Sequence, residues 1–231
     1  ALDFSVRPGP HREEVEEAIF AWAPPRFRDR DRERGRPLPY WAEAREDDAA
    51  RLALLARQGY TLDDDFGYLL HHRPLAEAIP APRLPDGFTI RPLAGETEAA
   101  AYAALHRRAF DSESMTPGWR ARTLRMPPYR PELDLVAVAP GGALAGFCVG
   151  WLDAARRLAQ IEPLGVHPDY RGLGLSRALM EEFFRRAREC GAETALVEPM
   201  DTDERAMRAY QAAGYRPAHR SLRKGQWFTA G

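Results

Sequence analysis

The chain has 231 residues, of which 45% are hydrophobic, and this is enough apolar material for one large domain or two small ones. Its formal net charge of −1 excludes a global basic field as a reason to bind nucleic acid or an anionic membrane. No apolar run approaches the length of about 20 residues that a membrane-spanning helix needs, and the start, ALDFSVRPGP, lacks the apolar region of a signal peptide. We therefore expect a globular cytoplasmic protein that binds neither nucleic acid nor a membrane.

The sequence offers little for a metal ion. Its two cysteines, Cys148 and Cys190, match no metal or redox spacing, and we expect both to be free thiols in a reducing compartment. His71 and His72 would point to opposite faces if they lie on a strand, which makes them a poor metal pair. We expect no metal site.

The first 80 residues resemble a later part of the same chain. VRPGPHREEVEEAIF at 6–20 aligns with VHPDYRGLGLSRALM at 166–180, and DAARLALLARQGY at 48–60 aligns with DERAMRAYQAAGY at 203–215. Residues 1–80 are therefore predicted to repeat the second half of a domain, as a strand, helix, strand and helix.

Such a fragment leaves a sheet edge and an apolar face exposed. We expect it to be covered by the C-terminal region or by a second copy of the chain in a homodimer, or the sequence to be a truncated form of a longer protein. Within it, RFRDRDRERGR at 26–36 alternates in charge and predicts a solvated loop.

A linker is predicted next, because LAEAIPAPRLPDG contains three prolines and a glycine. We place it at 81–86, between the partial repeat at 1–80 and a complete domain at 87–231. The elements predicted in that domain are a strand at 87–92, helices at 96–110 and 112–125, strands at 134–139, 143–152 and 158–167, a helix from Leu175 to Gly191, a strand at 193–199, a helix at 203–214 and a terminal strand or hairpin at 215–228. An antiparallel meander that leads into a strand–helix–strand–helix–strand unit predicts an α+β fold with a mixed sheet.

One helix start in this domain has the composition of an anion site. In VHPDYRGLGLSRALM, Gly172 and Gly174 let the backbone curl between a strand and a helix, so that successive N–H groups form a nest at the helix N-terminus. Arg171 and Arg177 can neutralise a bound anion. The alternative to an anion site is a strand-to-helix turn with no ligand. A dinucleotide site would need a third glycine and an early position, and a nucleoside triphosphate loop would need Gly-Lys-Ser/Thr.

This stretch resembles the pyrophosphate loop of the GNAT superfamily of acyl-CoA-dependent N-acyltransferases, whose pattern is Arg or Gln, two residues, Gly, one residue, then Gly or Ala. Arg171, Gly174 and Ser176 fall on those positions. Serine departs from the pattern, although its hydroxyl can donate to a phosphate oxygen. DERAMRAYQAAGY is similar to the late helix of the same superfamily, with Tyr210 in place and Asp203 where asparagine is usual.

The resemblance implies roles for particular residues. Tyr210 would protonate the CoA thiolate, and Glu162, in IEPLGVHP, would be the general base. Their alternatives are an amphipathic tyrosine at a helix–sheet margin and a solvated strand carboxylate. Pro163 should loosen the strand pairing and admit the pantetheine arm. The implied cofactor-binding residues are Leu164, Gly165, Val166, Arg171, Gly172, Leu173, Gly174, Leu175, Ser176, Arg177 and Asp203.

The resemblance further implies a GNAT fold that is complete in the C-terminal domain, and the transfer of an acetyl group from acetyl-CoA to a primary amine of a small molecule by direct attack. Protein N-acetylation and a non-catalytic CoA-binding or scaffolding module are the alternatives. The N-terminal repeat has His11, Glu14 and Glu16 where Arg171, Gly174 and Ser176 stand, so we expect it not to bind CoA.

Overall fold

The structure is a computed structural model that describes residues 2, 4, 6–36 and 39–227, without side chains at 39, 62–66 and 223–227. Its helices and strands are, in chain order, α1 (Arg12–Arg34), β1 (Pro39–Arg45), α2 (Ala49–Arg57), β2 (Thr61–Pro74), β3 (Thr89–Pro92), α3 (Ala99–Phe110), α4 (Pro117–Leu124), β4 (Asp134–Val138), β5 (Leu144–Asp153), β6 (Leu158–Val166), α5 (Leu175–Glu189), β7 (Thr194–Val197), α6 (Glu204–Ala212) and β8 (Arg216–Trp227). The predicted terminal strand extended to Phe228, which lies outside the described residues.

The chain divides into two compact units. The first comprises Ala1–Leu70, Glu198–Glu204 and Pro217–Gly231, and the second comprises His71–Val197 and Arg205–Arg216. The units follow spatial contacts rather than sequence order, and the predicted linker at 81–86 lies within the range of the second. The division into a partial repeat at 1–80 and a complete domain at 87–231 stays a prediction.

In the first unit the strands have the order β1, β8, β2, and β1 and β8 are antiparallel. Helix α1 contributes Phe20, Ala23 and Phe27 to a core that also contains Tyr40 of β1. The Tyr40 ring stacks on Phe27 with centroids 3.8 Å apart. The loop predicted at 26–36 is therefore wrong. The apolar stripe of α1 continues through Phe27, and the helix ends with Gly35 in the left-handed region at φ 65°.

In the second unit the strands have the order β2, β7, β6, β5, β4, β3. Strands β3 to β6 form an antiparallel meander, and β6 pairs with β7 in parallel. Side chains of β5 alternate between two clusters, because Cys148 lies with α5 whereas Phe147 and Val149 lie with α3. Helices therefore cover both faces, and the predicted α+β class with a mixed sheet is confirmed.

Helix α5 packs against the sheet with the face that the sequence predicts. The predicted positions Leu175, Leu179, Phe183 and Ala187 are all buried, as are Ala178, Met180 and Phe184. This spacing of four keeps the first turn, which carries the glycine loop, fixed against the core. Among the described residues, no helix is long and apolar enough to cross a membrane, and no three His, Cys, Asp or Glu side chains are grouped to hold a metal ion.

Candidate active site

The candidate site begins where β6 separates from its parallel neighbour. Pairing between β6 and β7 runs from Leu158–Thr194 to Gln160–Leu196, while β6 continues beside β5 as far as Val166. Successive backbone groups of a strand point to opposite neighbours, so about half of the polar groups beyond Gln160 face the side from which β7 has departed. The predicted loosening of the sheet is present here, and pairing ends three residues before Pro163.

Glu162 lies on this diverging stretch. The register of β5 and β6 shifts between the pairs Cys148–Leu164 and Gly150–Ile161, so that Glu162 and Pro163 together face Val149. The peptide bond between Glu162 and Pro163 is cis. The Glu162 residue is exposed, and the indole Nε1 of Trp151 donates to its backbone oxygen at 2.8 Å. A carboxylate is thus presented where the two strands part.

The three residues predicted to contact pantetheine follow directly. Leu164 and Val166 pack into the cluster under α5. Gly165 lies opposite Phe147, and a Cβ added there would be 2.4 Å from Cζ of that ring and 3.1 Å from Cβ of Ala109. Packing therefore requires glycine at this position, and α3 approaches the strand closely.

The glycine loop has the conformation that the sequence predicted. Gly172 and Gly174 have φ values of 82° and 80°, and an added Cβ at either would meet nothing within 4 Å. Gly174 is the N-cap of α5, with no side-chain capping bond. The first N–H groups of α5 are thus left without the usual capping side chain, and the helix dipole adds a favourable potential for an anion.

The two arginines of the loop differ in their surroundings. Arg171 donates from Nη2 to the Ala109 oxygen at 2.8 Å and from Nε to the Val166 oxygen at 3.4 Å. Both partners are neutral carbonyls, so these bonds place the guanidinium without cancelling its charge. Arg177 donates from Nε to the carboxylate of Glu181 at 2.8 Å, which offsets its charge. Arg171 is therefore the stronger source of positive potential for the loop.

The remaining predicted residues lie in both units. Ser176 is half-buried in the first turn of α5, Leu175 before it is buried, and Leu173 is exposed in the loop. Tyr210 of α6 is 9% exposed, packs edge-on against Tyr215 at 5.7 Å and shares a cluster with Val166 and Leu175. Asp203 belongs to the first unit, where its N–H donates to the Met200 oxygen at 3.1 Å.

The left-handed glycines give a stability prediction. Gly174→Ala is expected to lower the free energy of unfolding by about 1 kcal/mol, because a Cβ is strained at positive φ even in open space. Urea denaturation measures it. Gly141→Ala is the matched control, since Gly141 also has open space around it and lies outside the left-handed region. Equal losses in both variants would contradict the argument.

Sequence reasoning missed the contacts that support Glu162. The strand pattern predicts Trp151 on a strand and gives no partner for its indole, because the bulge near Glu162 is not visible in that pattern. The packing of Phe147 against Gly165 is equally hidden, because it depends on the register between β5 and β6. The available signal was a tryptophan with a hydrogen-bond donor in a strand of otherwise mostly apolar residues.

The chain belongs to the GNAT family of acetyltransferases. The family model described as "Acetyltransferase (GNAT) family" matches residues 99–215, about half of the chain. These residues contain β4 to β7 and α5, and with them the glycine loop, Glu162 and Tyr210. The family that the motifs suggested is thereby confirmed.

Curated relatives and solved structures agree with this assignment. The chain is 30% identical over an alignment of 193 residues to a mycothiol acetyltransferase of Salinispora arenicola, and the match covers 78% of this chain and 60% of the relative. It is 26% identical over an alignment of 189 residues to the mycothiol acetyltransferase of Thermobispora bispora. That match covers 78% of this chain and 63% of the relative. The chain thus spans about 60% of the length of these relatives.

Two solved structures share the fold. A GCN5-related N-acetyltransferase from Sphaerobacter thermophilus has a TM-score of 0.79 at 23% identity, covering 94% of this chain and 69% of that one. A tandem GNAT protein from the clavulanic acid biosynthesis pathway has a TM-score of 0.76 at 18% identity, and the match covers 98% of this chain and 74% of that protein. At these identities the likeness shows the fold and leaves the substrate open.

Proposed function

We propose that the protein is an acetyl-CoA-dependent N-acetyltransferase that moves an acetyl group to the primary amine of a small molecule. The observation that carries the proposal is the combination of a glycine loop at an uncapped helix start with a strand that has parted from its parallel neighbour. The loop offers N–H donors to an anion, and the parted strand offers an edge to an extended chain. The names of the mycothiol acetyltransferase relatives support a small-molecule acceptor.

The residues present fit this cosubstrate, which supplies the acetyl group as a thioester. Backbone N–H groups from Gly172 to Ser176 would bind the pyrophosphate, with Arg171 as the nearby charge. The segment Leu164–Val166 would pair with the pantetheine amides. The role of Asp203, which lies in the other compact unit, stays a sequence-based prediction.

The reaction requires a proton acceptor and a proton donor. Glu162 takes a proton from the acceptor ammonium, which frees the nitrogen lone pair for attack on the thioester carbonyl. N–H groups near Leu164 to Val166 polarise the carbonyl oxygen. When the carbon–sulfur bond breaks, Tyr210 gives its phenolic proton to the departing sulfur, and the second proton that the attacking nitrogen loses restores the Tyr210 phenol. No thiol of the enzyme is needed. Burial raises the pKa of the Cys148 thiol, which stays protonated within the core.

Binding of acetyl-CoA tests the proposal first. In calorimetric titration, the wild type is expected to bind acetyl-CoA at one site per chain in the micromolar range, and Arg171→Glu/Gly174→Glu is expected to lose binding, because it places carboxylates where the pyrophosphate would lie. Gly141→Glu, in an open turn of the same unit, controls for added negative charge.

The outcomes are distinct. If the double variant still binds acetyl-CoA, the cosubstrate does not bind at this loop. A folded wild type that does not bind acetyl-CoA removes the proposal and leaves the loop as an ordinary turn. Binding without transfer to any amine favours the non-catalytic module.

A further inference from the structure

The backbone at Glu162 lies where the sheet is least regular. Here β6 has already left β7, and two residues of β6 face one residue of β5. A β-bulge of this kind re-aims the side chains that follow from it. The direction of the Glu162 carboxylate therefore depends on what holds this particular peptide unit.

One such contact comes from Trp151. Its indole Nε1 donates to the Glu162 backbone oxygen at 2.8 Å, a normal hydrogen-bond length. The oxygen belongs to the peptide that precedes Pro163, so the bond bears directly on the bulge. This side-chain hydrogen bond therefore acts on the stretch where the register of β5 and β6 shifts.

The indole itself is fixed. Trp151 pairs with Gln160 in the regular part of the β5–β6 ladder, two residues before Glu162. Its ring is partly buried against the cluster of α3 and β5 that contains Tyr102, Phe147 and Val149. The donor thus lies on a regular part of β5, and its acceptor lies on the irregular part of β6. It can restrain the Glu162 peptide without moving itself.

We propose that Trp151 is a positioning residue for Glu162: its indole N–H sets the bulge and thereby aims the carboxylate at the acceptor nitrogen. The proposal rests on the proposed function, in which Glu162 accepts the proton. Proton transfer needs the base within hydrogen-bond reach of the nitrogen, so a small displacement of the carboxylate slows turnover without weakening cosubstrate binding.

Trp151→Phe is the direct test, because phenylalanine keeps an aromatic ring in the cluster and removes the donor. We expect kcat to fall about tenfold, the effect of losing one hydrogen bond and of a misplaced base. The dissociation constant for acetyl-CoA and the unfolding temperature should change little. Trp22→Phe is the matched control, since Trp22 is an exposed residue of α1 in the other compact unit.

A double-variant cycle separates positioning from a merely structural role. If Trp151 acts through Glu162, Trp151→Phe has almost no further effect on kcat in the Glu162→Gln background. If it supports the fold in general, the same factor is lost in both backgrounds. Equal loss in the two backgrounds, or full activity of Trp151→Phe, overturns the proposal.

A second readout does not need turnover. The side-chain carboxyl 13C resonance of Glu162, assigned by its disappearance in Glu162→Gln, is expected to shift in Trp151→Phe and to stay unchanged in Trp22→Phe. An unmoved resonance overturns the positioning role. A wild type that acetylates no amine contradicts the proposed function instead, and the resonance still decides whether Trp151 holds Glu162.

Discussion

Glu162→Gln and Tyr210→Phe are each expected to reduce turnover by about 10²–10⁴-fold, the usual contribution of a general base or acid, while acetyl-CoA binding stays nearly unchanged. Each change is close to isosteric and removes one proton-transfer group. Glu162 is exposed where β6 and β7 part, and Tyr210 lies on α6, outside the glycine loop. Neither side chain belongs to the loop that would bind the pyrophosphate, so the loss should appear in kcat.

The measurement is steady-state acetyl transfer to an accepted amine, with acetyl-CoA affinity determined by calorimetry for each variant. Glu193→Gln and Tyr60→Phe are the matched controls, because Glu193 is an exposed carboxylate of the second unit and Tyr60 is a buried tyrosine of the first. Unchanged turnover in Glu162→Gln would assign proton removal to another group. A parallel loss of acetyl-CoA affinity would make the residue part of the binding site.

The conformation of the glycine loop was predictable because it is local. Positive φ at Gly172 and Gly174 needs residues without a Cβ, and both glycines are visible in the sequence. The burial of α5 follows likewise from its apolar spacing, which Leu179 and Phe183 continue into the core. The resemblance of local motifs to GNAT patterns, in the expected order along the chain, was sufficient to predict the family.

Features that depend on distant pairing were not predictable in the same way. The shift between Cys148–Leu164 and Gly150–Ile161 is a property of two strands together, and a strand pattern has no mark for it. The division into compact units likewise follows contacts, since the segment Glu198–Glu204 joins the first unit although it directly follows β7 in sequence. In α1 the charged residues lie on the solvated faces of the helix. Their alternation along the sequence made the apolar stripe on the buried face hard to recognise.

A buried ion pair in the second unit was also outside the reach of the sequence. Arg120 of α4 and Asp134 of β4 form a salt bridge, with side chains 2% and 0% exposed. The hydroxyl of Tyr129 donates to Oδ2 of Asp134 at 2.7 Å, and the Arg120 guanidinium lies 3.8 Å from the centroid of the Tyr102 ring. Burial, and then the bond to Asp134, raise the pKa of Tyr129, which therefore remains a donor. The pair links α4 to the sheet on the face opposite α5.

Asp134→Ala is expected to lower the free energy of unfolding by about 3–5 kcal/mol, because it leaves the Arg120 charge buried without its partner. Replacing both residues, as Arg120→Met/Asp134→Ala, should recover part of that loss, since no buried charge is then left without its partner. Urea denaturation of the two variants and the wild type measures both effects. Arg125→Met provides the control, because its bond to Glu96 is exposed and its loss should change the free energy of unfolding little. A loss in the double variant as large as in Asp134→Ala would show that the pair itself, rather than the avoidance of an unpaired charge, stabilises this face of the sheet.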